Sequence, residues 1–424
     1  MPLFPSLARP GAPLDCPPAR QRETLPERAR PVDSPSMVPR ATWLLARFGV
    51  RARLDDPRLQ VLREATIRTD PAADALAGFM SQAPAGHGRR LLEQALEHGI
   101  DSLSDPPREL VALFAEIEAT PAWLDRTLVA AGADAMVRQG AEGLCALSAV
   151  SLMGGYLSSN ATKPLAATGA LSRMAPRRLA ETTQFVHAIA TSGAMLRDSS
   201  GFKTTVRVRV MHAVVRAQLR ASPGWQTESW GVPINQRDMV ATHLTFTVMF
   251  IAGATALGRL ISAHERESIM HLWRYVSFLL GTPDALLPKS FREAVELGAL
   301  YNISEPGPDQ DGLALAQALV QAWGFGVQPE PVLQQRLFGS FMVGFTRYAL
   351  GRQAADRLQL PDTAWKHLPP LLAAVRLSSE LLRRAFPGMH AGSVAAGRQL
   401  MDRHLEITMG GKPARFVASA EASA

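Results

Sequence analysis

Residues 204–220, TTVRVRVMHAVVRAQLR, limit the possible fold more than any other stretch of this 424-residue chain. The run begins as a Val/Arg alternation and passes directly into a helical period. Placed on a helix at about 100° per residue, His212 falls on a seam. Val208, Val215 and Leu219 lie on one side of it, and Arg209, Arg216 and Arg220 share a narrow stripe on the other. Val206, Val210, Met211 and Val214 make the remaining faces apolar too, so this helix must be enclosed by others.

The rest of the chain can supply that enclosure. Hydrophobic residues make up 47% and charged residues 20%, enough for a sizeable core. Helical periodicity recurs in RLQVLREATI, ADALAGFM, RRLLEQALEH and the first of these segments, WLLARFGV. It returns in 264–280, 289–302, 311–323, 330–351, 366–386 and 391–405. Asp105 and Thr120, each followed by proline, and Ala175-Pro176 read as helix starts. No series of alternating strands accompanies them, which predicts an all-α fold. Two apolar runs, 141–157 and 239–261, approach the length of a bilayer crossing. Gly154-Gly155 ends the first, while His243 and Arg259 argue that the second is a core helix.

Residues 1–40 hold ten of the 31 prolines and show no hydrophobic period, so a disordered tail is expected. No continuous apolar signal segment is read there, and a cytoplasmic location is expected. Seven arginines against four acidic residues in the first fifty account for part of the net charge of +7, leaving little for a nucleic-acid footprint. With 6% aromatic residues, stacking platforms for single strands are scarce as well. Cys16 and Cys145 are too few for a disulfide framework, and Cys145 reads as a free buried thiol. No phosphate-binding glycine loop, HExxH pair or di-iron carboxylate set is present. His264 and His271 are two turns apart, about 10 Å of rise, too far to share one ion comfortably.

A buried imidazole between an apolar strip and an arginine strip has two readings. The common one is a core histidine satisfied by its neighbours. The other is the axial ligand of a haem, whose macrocycle takes the apolar side and whose propionates meet arginines. The helix around RRLAETTQFV offers a facing strip: Arg178, Glu181 and Thr182 at i, i+3 and i+4, continued by Phe185 and Ile189. His187 points the other way.

Several segments resemble the latex-clearing protein (rubber oxygenase) family and the related MpaB-type oxygenases. They are RRLAETTQFV (177–186), KTTVRVRVMHAVVR (203–216), WGVPINQRDM (230–239) and HLWRYVSFLLGTPDALLP (271–288). Shorter matches occur at PAWLD (121–125), GGYL (154–157) and TGAL (168–171). The resemblance implies a haem b oxygenase with a globin-like helical core over 100–350. Outside that core the helical period predicts N-terminal helices at 41–99 and C-terminal helices at 351–410, and composition predicts a tail at 411–424. The resemblance makes His212 the proximal iron ligand, with Arg209 and Arg216 as partners of the haem edge. Arg178 and Thr182 would shape the oxygen and substrate side. Some family members have a lysine just before that threonine; here Glu181 stands there and becomes a candidate base. A further carboxylate of the family has no counterpart around Thr162.

The activity implied is O2-dependent cleavage of C=C bonds in an isoprenoid or related hydrophobic unsaturated small molecule or polymer. A monomer is expected, with peripheral membrane contact through 239–261 left open. The alternatives are a non-catalytic haem- or lipid-binding globin-like protein, and a helical scaffold that binds no haem.

Overall fold

The computed structural model describes residues 25–29, 53, 55–168, 170–191, 193–325 and 333–409. Helices and their connections account for all of these, with no strand among the described residues. The fold is all-α, as the periodicity predicts.

The N-terminal helices are α1 (Arg58–Glu64), α2 (Pro71–Gln82), α3 (His87–His98) and α4 (Arg108–Glu118). Asp70 caps α2 by accepting from the Ala73 N–H, and Pro71 occupies the first turn, where its missing N–H costs nothing. Next comes α5 (Arg126–Val137), capped by Asp125. The Thr120-Pro121 start expected from sequence is therefore displaced, because the Asp125 carboxylate takes both the Thr127 and Leu128 N–H groups.

A long helix, α6, is α-helical over Gly140–Ala146, π-helical over Leu147–Leu152, and closes at Met153–Gly155. After it run α7 (Ser159–Ala167) and α8 (Ala170–Ala190). Helix α8 begins ahead of Pro176, which lies inside it rather than launching it. Then comes α9 (Ser200–Ala221), the enclosed helix predicted from 204–220. Helix α10 spans Gln236–Ala256 with a π-helical segment at Thr245–Met249. The remaining helices are α11 (Ala263–Leu279), α12 (Phe291–Ser304), α13 (Gln310–Phe325), α14 (Leu333–Leu350), α15 (Arg352–Arg357), α16 (Leu368–Ala385) and α17 (Pro387–Met409).

Helices α5 and α11 cross closely: a Cβ on Gly132 would strike the Ser268 carbonyl, so glycine sets the interaxial distance. Trp273 of α11 fills the centre, stacked on Phe246 with ring centroids 4.3 Å apart. Helix α10 has the length and composition of a bilayer span, but most of it is buried inside the protein. It is a core helix, as His243 and Arg259 suggested.

The expected boundary near residue 99 is not a packing boundary. Leu59, Leu62, Leu76 and Leu96 share one hydrophobic core with Val206, Val240 and Leu272. The arginines of α9 explain why. Arg207 pairs with Glu93 (2.7 Å) and Glu97 (2.9 Å) of α3, and Arg209 with Asp70 (2.7 Å) and Glu116 (2.6 Å). Arg216 pairs with Asp74 and donates to the Pro233 and Ile234 carbonyls. The N-terminal helices hold the charged face of α9.

The Pro-rich start also departs from expectation. Residues 27–29 form a 3₁₀ turn in which Arg28 and Ala29 are buried. The Arg28 guanidinium enters a polar cluster described below, and composition gave no sign of it. The rest of 1–40, including Cys16, the segment WLLARFGV, and the tail from 411 lie outside the described residues.

Candidate active site

One large cavity of about 800 Å³ lies among α6, α7, α8, α9, α10, α12, α13, α14 and α17. Its walls are mostly apolar, with Leu147, Leu152, Phe246, Met249 and Met342 prominent. Both π-helical segments, 147–152 and 245–249, face it and pack against each other. A π turn widens the helix by one residue and shifts side chains round it, a device often found beside functional sites. Neither segment is distinguishable from an ordinary apolar helix in the sequence.

His212 reaches this cavity as the single contribution of α9. The valines and arginines around it pack elsewhere, so the seam position does present one imidazole to an apolar space. Leu179, Thr182, Thr183 and Val186 form the α8 wall. Thr182 is therefore on the same cavity as His212. Glu181 is not among the lining residues, because the cavity-facing strip of α8 is rotated from the one expected. Phe185 and Ile189 point into the core instead, Phe185 edge-on to Trp273 at 6.3 Å. The Arg178 side chain lies outside the described residues.

Arg209 and Arg216 do not border the cavity. Their stripe turns to α2 and to the loop before α10, where Asp70 and Asp74 neutralise it. The expected role as partners of a haem edge is corrected accordingly: both are ion-pair partners of neighbouring helices. Arg220 is exposed. His271 accepts a hydrogen bond from the Asp125 N–H at 2.9 Å and abuts Trp123, while His264 is exposed. No group of metal ligands occurs among the described residues.

Helix α17 supplies what sequence reasoning missed. Leu400, Arg403, His404 and Ile407 all line the cavity. His187 of α8 fixes α17 by a 2.7 Å contact with Asp402, and Arg398 pairs with Asp134 of α5. Among the described lining residues, Arg403 alone carries a permanent positive charge. Burial lowers the pKa of His404, which favours its neutral form. A periodic apolar pattern at 391–405 predicted the helix but not its direction of approach.

A second set of residues missed from sequence forms a polar patch on the wall at Ser158, Tyr301 and Glu305. Ser158 caps α7 and also donates to Glu305 at 2.8 Å. Arg237 holds the other Glu305 oxygen at 2.8 Å, and Arg28 approaches at 3.4 Å while pairing with Asp238 at 2.7 Å. Burial alone would raise the Glu305 pKa, but Arg28 and Arg237 overcome it and hold the carboxyl below its ordinary range. Burial raises the Tyr301 phenol and pushes the Cys145 thiol, also on the wall, up to about 12. None of these three groups is poised to exchange a proton at neutral pH. The WGVPINQRDM segment is now explained: Asn235 caps α10, Gln236 ties Thr69 to Gly281, and Arg237 and Asp238 complete the ion cluster.

Residues 137–384 match the family described as ER-bound oxygenase mpaB/B'/rubber oxygenase, catalytic domain. The chain is 28% identical over 212 residues to a rubber oxygenase of Streptomyces sp. (strain K30). That alignment takes in 47% of this chain and 49% of the relative, so the chain spans about half the length of the curated relative it matches. Its fold is similar to a latex clearing protein LCP solved in the closed state, with a TM-score of 0.51 at 20% identity. The superposition covers 80% of this chain and 91% of that one, and supports the helical architecture. With more than half of its length matched, this chain belongs to the mpaB/rubber oxygenase catalytic-domain family.

Proposed function

We propose that the chain is a haem b-dependent oxygenase that uses O2 to cleave C=C bonds of an isoprenoid or related unsaturated substrate. The observation that carries this reading is the placement of His212: one imidazole from the enclosed helix α9, facing an apolar cavity of about 800 Å³. A haem fits the chemistry of these walls. It needs one imidazole, apolar surface for the macrocycle and a cation for its carboxylates, which His212, the leucines and methionines, and Arg403 would provide. When bound, the haem would supply the oxygen-activating chemistry.

The protein's own contribution is positioning and exclusion. Leu179, Val186, Phe246, Val248 and Met249 would keep water from an apolar chain lying in the cavity. The Thr182 hydroxyl would orient an oxygen-bearing reactant by a hydrogen bond, and Arg178, one turn before it on α8, is proposed for the same wall. Glu305, held ionised by two guanidiniums, anchors the polar end rather than moving a proton.

Purified protein reconstituted with haem should show a Soret band that His212→Ala greatly weakens. It should also consume O2 with an isoprenoid and release carbonyl fragments. A wild type that takes up no haem would sink the proposal. A Soret band with no oxygen uptake on any olefin would instead favour a non-catalytic binding protein.

A further inference from the structure

Helix α16 is built inside out. Its inward face carries Pro369, Glu380 and Arg383, and Glu380 is 1% exposed. That carboxylate accepts from Arg259 at 2.8 Å, Arg383 at 3.0 Å, Arg138 at 3.2 Å and the Leu260 N–H at 3.3 Å. Its outward face carries Leu371, Val375 and Leu382, spaced to fall within about 40° of one another. Val375 is 73% exposed and Leu371 64%. A surface helix normally has the opposite arrangement.

The stripe is part of a larger pattern. Of seventeen exposed large apolar side chains among the described residues, fourteen lie between Leu333 and Ile407, so they are segregated rather than scattered. Three of them, Phe338, Leu400 and Ile407, also line the cavity. The exposed apolar segment thus forms part of the rim through which a ligand would enter. Charge is segregated in the same place. Residues 333–409 hold ten Lys and Arg against five Asp and Glu, whereas the rest of the chain is nearly balanced at 35 against 33.

We propose that the C-terminal helices, with α16 foremost, dock peripherally on an anionic phospholipid bilayer. The stripe of α16 would lie at the boundary between headgroups and acyl chains, with the exposed Arg336 of α14 and Arg403 of α17 among the headgroups. An apolar substrate would then enter past Phe338 and Ile407 without crossing water. A second copy of the chain fits less well, since two surfaces of like positive charge would face each other. The core helix α10, despite its composition, takes no part. This inference is independent of the haem, and its test needs no cofactor and no turnover.

The test is cosedimentation of the full-length chain with phosphatidylcholine vesicles, with and without phosphatidylglycerol, at low and high salt. Binding should be at least about tenfold stronger to the anionic vesicles and should weaken with salt. Val375→Asp with Leu382→Asp, both exposed, should abolish it with an unchanged circular dichroism spectrum, whereas Val61→Asp on α1 should not. Arg336→Glu, at an exposed position on α14, gives an arm that leaves the stripe intact: weaker binding at low salt than wild type. Failure of the wild type to bind anionic vesicles would overturn the proposal. So would equal binding by the stripe variant, or a dimer in sedimentation velocity that the stripe variant dissociates while vesicles are ignored.

Discussion

Arg28 and Glu305, 277 residues apart in the chain, meet in one buried ion cluster at the cavity wall. The guanidinium comes from the proline-rich beginning and the carboxylate from the residue after α12. Arg28 also holds Asp238 at 2.7 Å and donates to the Trp230 carbonyl, so three segments converge on it. Both side chains are essentially inaccessible, which makes the removal of one partner costly.

Arg28→Met would leave Arg237 as the remaining guanidinium on Glu305 and Asp238 without its guanidinium. A loss of about 3–5 kcal/mol is expected, the usual cost of stranding a buried charge. Urea denaturation of the variant measures it. The double variant Arg28→Met/Glu305→Gln should lose less than the two single losses added together, because the residues share one network. Strict additivity would show that the two side chains do not interact.

His243 supplies a pH dependence. It is buried in α10 with Nδ1 3.0 Å from the Ser277 hydroxyl, and burial takes its pKa down to about 4 from an ordinary 6.5. The folded state therefore keeps the ring neutral while the unfolded chain takes up a proton. Stability from this group is complete above pH 6.5 and falls as pH drops toward 4. The full loss is on the order of 3 kcal/mol. In His243→Gln that part of the slope should vanish, as read from urea midpoints across the window. An unchanged slope would show that His243 is already protonated in the fold or titrates alike in both states.

Much of the architecture was legible in the sequence, and the reasons are local. The 3.6-residue period found the helices because each buries a stripe, and the seam position of His212 showed that a helix with arginines on one side could still be enclosed. What those arginines meet was not legible. Arg209 and Arg216 could face a cofactor edge or carboxylates from another helix, and periodicity is the same in both cases. Only the packing of α2 on α9 decides. Rotation was the other loss: Thr182 lines the cavity and Glu181 does not, since 100° per residue separates a cavity wall from its flank. Arg28, Glu305, Arg403 and His404 reach the site by long-range packing, which carries no short-range signature. Arg28 and the α17 pair also lie outside the segment matched to the family.

Gly281 illustrates how closely that packing is drawn. It has φ +83°, and a Cβ there would run into the Asp70 carboxylate that holds Arg209. Gly281→Ala would add backbone strain of about 1–3 kcal/mol and displace the ion pair besides. The thermal midpoint should fall by several degrees, and hydrogen exchange should quicken in α2. Gly155→Ala, with nothing within 4 Å of the added methyl, is the control and should leave both unchanged.

Under the proposed haem binding, the two arginine sets make opposite predictions. Arg403 lines the cavity and is exposed, so Arg403→Ala should leave the apoprotein's stability unchanged while haem is lost faster. A charged hydrogen bond of about 1.5–3 kcal/mol corresponds to roughly a ten- to hundredfold faster release, measurable by transfer to an excess of a haem-scavenging globin. Arg209 is buried against Asp70, so Arg209→Ala should cost about 3–5 kcal/mol in urea with little effect on release from the protein that remains folded. The reverse outcome, rapid haem loss from Arg209→Ala and none from Arg403→Ala, would move the carboxylate edge of the haem to the α2 side of α9. The structure opposes that outcome because Asp70, Asp74 and Glu116 already occupy that face, and a dianionic edge brought there would meet three carboxylates.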